Sequence, residues 1–393
     1  MSHSPIDPEA NRSTSARLPC PDCGNGQDCP QRRNIHTCPL ESRKQRREAV
    51  VATISLGGQA TAIAPSPDGH QVYVIAGDSV KVISRLHHVV GAYHIGPHPK
   101  SLLVSADGTR VYVTGFDGST SVINTIDRSV KTFMLERSDV EALSPDGNHI
   151  YRVHSGIIGD TGGSWISVVA ADGETVAVVP VPRHATDVTL SPDGRRIYVA
   201  SRSTLFRLDW RGVISVIDTR TFRVIDKIAV ELAADTLTMS LSGTRLYATH
   251  YHKNSFSIID VRTRVVSRWA FGDAPIEITA SADDTFACVT NLHSLTVFNA
   301  AANMAKRTLI GGLPRETRLS VDGTRAYVLD FACRTILAVD TTDNVVTGSV
   351  DVDGHPEAMT LSLDGELLYV TDYRAGVMTV ISTALLKRAA HGG

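Results

Sequence analysis

From residue 50 onward the apolar residues fall in runs of five or six, rich in Val, Ile, Thr and Tyr and separated by turn-forming pairs. The runs do not alternate strictly, as expected of strands packed on both faces, and no helical periodicity competes with them. In one representative stretch, strands are predicted over residues 100–104, 110–114, 120–124 and 130–135. An Asp-Gly pair sits between the first two, where Gly tolerates positive φ and Asp bonds its own backbone. Asn124-Thr125, Asp218-Thr219 and Asp340-Thr341 mark the turn between third and fourth strands.

This four-strand unit recurs. Its marker is Ser-x-Asp-Gly followed by Tyr-Val, and it begins at Ser66, Ser105, Ser144, Ser191, Ser240, Ser281, Ser320 and Ser362. Successive spacings are 39, 39, 47, 49, 41, 39 and 42 residues. Seven of the ten tyrosines stand seven positions after the marker Ser, with Cys288 in the remaining copy, so the repeat is not accidental. A period near 40 with this content predicts an all-β fold, a β-propeller of four-stranded antiparallel blades. Eight modules are counted. Seven is the alternative if Ser240-Leu241-Ser242-Gly243 or Ser281-Ala282-Asp283-Asp284, where Asp-Gly is altered, does not open a full blade. The run Val50–Leu56 reads as an outer strand with no module before it, and the last copy lacks its fourth strand, so the first can close the ring and remove an open edge.

The Ser-Pro-Asp-Gly…Val-Tyr-Val pattern, Tyr112-Val113-Thr114-Gly115, Tyr369-Val370-Thr371-Asp372 and Val213–Thr219 together resemble the YVTN β-propeller repeat family, which includes surface-layer-type proteins and lactonase-like propellers. The likeness extends to an uncharacterised mycobacterial member and spans residues 50 to 382. It implies the fold and leaves the function open, because this family holds interaction scaffolds as well as enzymes.

Three regions are expected: a Cys/Pro/Arg-rich flexible tail over 1–48, the propeller over 49–383 and a short tail over 384–393. Within the first, Cys20-Pro-Asp-Cys23 has the spacing that clasps a tetrahedral zinc, with Cys29, Cys38 and His36 as further ligands. Reduced thiols in a flexible segment, or a redox pair, are the competing readings. Arg43-Lys44-Gln45-Arg46-Arg47 reads as a solvated charge run. Cys288 and Cys333 lie in apolar segments and are expected in the core.

The formal charge of −2 excludes a strongly basic nucleic-acid surface, and no apolar run is long enough to span a bilayer. The first residues lack an apolar signal core, so the default location is the cytoplasm, with non-classical export or surface association open. A monomer is the expected state.

Sites in propellers lie on the face shared by the loops entering the first strand and those joining the second and third. On it the repeat places His98, His184 and His355, seven positions before the marker, and Asp139, Asp235 and Glu357, five before. Ten or twelve after stand His154, His250, Asp330, Asp372, His252 and His293. Imidazoles and carboxylates around a funnel can bind a divalent ion or act as acid–base groups. The competing reading is a polar mouth where loops meet water. The two longest repeats project loops near 154–164 and 201–211 on the same face, carrying Phe206, Trp210, Arg202 and Arg207, with Trp165 at one edge. Aromatics with Arg are the composition of protein-binding hot spots. Gly159–Ser164 resembles a protease nucleophile loop, but Thr161 replaces the required Ser. The expected function is therefore a non-catalytic scaffold that binds a protein or cell-envelope partner through one face. The alternative is a lactonase-like hydrolase or metal-assisted lyase using the funnel residues.

Overall fold

The computed structural model describes residues 48–138, 140–155, 163–202, 211–270 and 273–386. They form eight four-stranded antiparallel sheets, each a blade of consecutive strands ordered from inside to outside, with one turn of 3-10 helix at Tyr251–Lys253 and a short α-helix at Thr383–Leu386. The two irregular markers open complete blades, the fifth (Thr236–Ala270) and the sixth (Pro275–Leu309), so the count is eight and not seven. The eighth blade is composite. Val50–Ser55 pairs antiparallel with Val377–Ser382, Thr53 facing Thr379, and closes the ring.

The marker builds the turn between first and second strands. In all eight blades the Ser hydroxyl accepts the backbone N–H five residues on, at 2.9–3.1 Å. Wherever Asp follows, the same hydroxyl donates to its carboxylate at 2.5–2.6 Å. The fourth residue has positive φ, which Gly adopts without cost. The two departures compensate each other. Ser242 replaces the fifth Asp and donates to Asp284, which itself replaces the sixth Gly and sits at φ +58°.

The Tyr column is buried between blades. Tyr112 Oη donates to the carbonyl of Gly147 in the next blade's marker at 2.6 Å, and burial pushes its phenol up to about 12. Cys288 replaces Tyr in a fully buried position, and burial pushes its thiol up to about 12 as well. The core therefore lies between the sheets. Tyr73, Ile75, Val80 and Val82 of blade 1 pack on Leu102, Val111 and Val113 of blade 2. At the closure, Ile54 and Leu56 join Met378 and Val380 against Val72 and Val74 of blade 1. Each fully buried side chain of this kind contributes about 1.5–3 kcal/mol.

One blade breaks the apolar pattern at two positions at once. Glu141 stands where other inner strands carry mostly aliphatic residues, and Arg152 stands where other second strands carry Val or Ala. They face each other across the ladder. Arg152, 1% exposed, donates through Nε to Glu141 at 3.1 Å. Thr114 of blade 2 donates to Glu141 at 2.6 Å and Ser138 at 2.5 Å, so the buried charge pair also fastens blade 2 to blade 3.

Candidate functional site

Inner strands have no sheet neighbour on the axis side, so backbone donors on that edge need other partners. In blades 4 to 8 the residues three and six before the marker Ser are buried, whereas Asp187, Thr236, Glu277, Glu316 and Ala358, four before it, stay half-buried toward the axis. Three of these are carboxylates, and each accepts an N–H from the next blade's inner strand. Asp187 takes Leu237 N–H at 2.7 Å, Glu316 takes Met359 N–H at 2.7 Å, and Glu277 takes that of Thr317. They are staples between blades 4 and 5, 7 and 8, and 6 and 7.

Arg318 lies between two of them, paired with Glu316 and 3.5 Å from Glu277. Even so, burial pushes Glu277 up to about 7, opposed by Arg318 and reinforced by the charge of Glu316. Glu277 retains 36% side-chain exposure. Burial raises Glu316 too, and raises Asp187 to about 6. The repeat contained this signal: three acidic residues share one column of the inner strands. Sequence reasoning, following the columns at five and seven before the marker, misses it.

On the loop face six of the eight blades share one backbone rung. The residue eleven after the marker donates its N–H to the carbonyl seven before it: Phe116 to His98, Arg202 to His184, Phe331 to Leu313 and Tyr373 to His355, at 3.0–3.2 Å. His98, His184 and His355 thus lie on the rim, in blades 2, 4 and 8. Among the described residues, no three His, Cys, Asp or Glu side chains come together to hold a metal ion. Asp139 and the tail residues Cys20, Cys23, Cys29, Cys38 and His36 lie outside the described residues.

The carboxylates on this face are engaged. Glu357 is gripped by both terminal nitrogens of Arg315, at 3.0 and 2.6 Å. Asp235 accepts Tyr251 N–H at 2.6 Å. The position ten after the marker is an internal anchor. His154 and His250 are buried, each bonded through Nδ1 to the carbonyl seven before the marker and through Nε2 to a Ser hydroxyl on the third strand. Desolvation lowers His250, holding it neutral. Asp372 instead accepts the N–H groups of His355 and Ala375, both at 2.7 Å. A Cβ on Gly354, at φ +79°, would collide with this carboxylate.

One column nearer the surface the character changes. Phe116 is 58% exposed, Tyr251 37%, Phe331 36% and Tyr373 37%, all eleven after their marker. Phe331 lies under Arg315, with 5.7 Å from guanidinium carbon to ring centre. This ring of aromatics was legible in the repeat and is missed by a search for ionisable groups. Trp165 is half-buried and stacks on His154 at 5.1 Å. Arg202 stands 3.7 Å from Asp235. Phe206, Arg207 and Trp210 lie outside the described residues.

The molecule is an eight-bladed β-propeller with a carboxylate-stapled axis and an aromatic-studded loop face. No family model matches the chain, and no curated protein matches it. Among solved structures, the hydrazine synthase of Kuenenia stuttgartiensis is similar, at 18% identity and a TM-score of 0.55, over 86% of this chain and 99% of that one. At that identity the likeness is one of fold. No helix among the described residues is long and apolar enough to cross a membrane.

Proposed function

We propose that this protein is a non-catalytic propeller of the YVTN-repeat kind that binds a protein partner through its loop face. The observation that carries this reading is the column of Phe116, Tyr251, Phe331 and Tyr373, exposed at equivalent positions around one rim. Large amphipathic rings held on a rigid scaffold contribute contact area at low entropic cost, and Tyr and Arg dominate binding hot spots. Arg202, Arg207, Phe206, Trp210 and Trp165 extend the same surface in this proposal. The engagement of Glu357, Asp235, His154 and His250 in internal bonds supports a binding role over an acid–base one. The test is capture of native partners by wild type and by the double variants Phe331→Ala/Tyr373→Ala and Phe206→Ala/Trp210→Ala. Both are expected to lose capture while melting like wild type. Unchanged capture by both would end this reading.

A second reading rests on Glu277. A carboxyl poised near 7, beside Arg318, is suited to general acid–base hydrolysis. Turnover of lactone or ester substrates that Glu277→Gln abolishes would establish it instead.

A further inference from the structure

We propose that the groove between the outer flanks of blades 2 and 3, at the turn end, receives an aliphatic side chain of Leu size, carried on a short helical turn of a partner protein. The site lies away from the loop face and does not depend on what that face binds. Its space is about 460 Å³, within the range of about 300–1,000 Å³ over which proteins hold ligands. Val122, Ala170 and Ala171 line it together with Asp127, Lys131 and Asn148, the last three exposed. Val122 and Ala171 also belong to the smallest of the apolar cores among the described residues, whose buried members are Tyr112, Val122, Ile150 and Val169.

The repeat explains the opening. In blades 4 and 5 the turn between third and fourth strands ends on a residue at positive φ whose side chain reaches the blade before. Phe222 of blade 4 meets His149 of blade 3 edge-on, 6.3 Å between ring centres, and Arg264 of blade 5 pairs with Asp226 of blade 4. In blade 3 the corresponding residue is Gly173, at φ +92°, with no side chain to send. The ladder position of Asp226 is held in blade 2 by Lys131, so the ion pair that closes the groove between blades 4 and 5 has no counterpart here. Phe133 closes over Gly173, and the space on its turn side stays open. What such a groove holds is seen between blades 7 and 8. Blade 8 takes its fourth strand from the other end of the chain, so the residues after Ser382, the ladder counterpart of Ala170, run instead into the helix at Thr383–Leu386. Leu386, 1% exposed, joins Ala338 and Val350 of blade 7 and Leu368 and Ile381 of blade 8 in one core. Ala338 is the counterpart of Val122. The Leu386 carbonyl leaves no room for a Cβ on Gly348, the counterpart of Lys131. In the open groove Lys131 therefore holds a visiting backbone further out, where its ammonium meets a peptide carbonyl.

Fluorescence anisotropy on the full chain tests this with a labelled peptide of the protein's own residues 382–388, and a control peptide with Asn in place of Leu386. Wild type should bind the first about tenfold more tightly or better, the factor expected from burying one Leu side chain. With photo-leucine at that peptide position, cross-links should fall on residues 120–131 and 170–173. Ala171→Phe, which fills the space from one wall, should weaken binding about tenfold. Lys131→Trp fills it from the exposed flank and should weaken binding as much, which holds the test if Ala171→Phe fails to fold. Equal binding of the two peptides, no binding, or full retention by Lys131→Trp overturns the proposal. So do cross-links on residues 338–350, which report exchange with the chain's own helix between blades 7 and 8. Partner capture by the loop-face variants is a separate readout, so failure of the peptide leaves the loop-face reading where it stands.

Discussion

The two ends of this wheel are built by opposite rules. At the turn end, eight Ser hydroxyls accept the same backbone N–H at the same offset, and seven Asp carboxylates close the same loop. At the loop end, the position ten after the marker is His, Asp or Asn in five blades and Ala, Gly or Ser in the other three, with different bonds, and the next position ranges from Phe, Tyr and Arg to Leu, Ser and Gly. Repetition at one end secures the backbone. The freedom at the other allows each blade to present its own chemistry without disturbing the sheets. The pH behaviour divides along a related line. Bonds from Ser and from backbone N–H lower the turn carboxylates, Asp283 to about 2, so their stabilisation is present above the normal carboxylate range and lost as pH falls through the lowered value. The axis carboxylates are raised. Their contribution is full below the normal range and is lost as pH rises through about 6 to 7.

The sharpest way to break the comparison is at the one blade where charge enters the repeat core. Arg152→Ala strands Glu141 and should cost about 3–5 kcal/mol by urea unfolding, whereas the pair replaced by Glu141→Leu with Arg152→Met should lose far less. A loss below about 1 kcal/mol for Arg152→Ala would show the pair to be hydrated. At the turn end, Ser105→Ala removes both a donor and an acceptor and should cost about 1–2 kcal/mol. Asp284→Gly loses the bond from Ser242 but relieves a positive φ, so its net effect should lie within about 0.5 kcal/mol of zero. A cost equal to that of Ser105→Ala would mean the interlocked irregular turns are no mere substitute for the standard one. On the axis, Glu277→Gln should flatten the decline of stability between pH 5 and 8. The gain at pH 8 should be about 1 kcal/mol, discounted because the group is partly open to water. Identical slopes in the two proteins would rule out Glu277 as the titrating group. Smallest in stability, within about 0.5 kcal/mol, are alanines at Phe331 and Tyr373, whose loss should register in partner capture instead.

The architecture was legible because it is written eight times. A turn needing Ser, Asp and Gly at fixed offsets leaves a trace that one copy would not, and strands predicted at 100–104 and 110–114 fall within a residue of Pro99–Val104 and Arg110–Gly115. Ring closure was legible from an orphan strand and a missing one. The loop face was legible only as a location. His154 and His250 look, in sequence, like the rim histidines His98 and His184, yet a buried pair of hydrogen bonds separates the first two from solvent. That distinction depends on the Ser opposite, Ser167 or Ser257, thirteen and seven residues away, and no spacing rule reveals it. The axis carboxylates were hidden for another reason. Their role is to satisfy an exposed strand edge, and this need exists only once the sheets stand in a circle.

The join between Val50–Ser55 and Val377–Ser382 also sets a timetable. The first strand of the ring must wait for its partner to be made, about 320 residues and roughly 15–60 s of synthesis later. Seven blades can stack in the meantime, but the eighth remains a three-strand remnant with a bare flank until its latch arrives. A permuted gene that placed the first strand after the helix at 383–386 would remove that delay while keeping all four strands of the eighth blade.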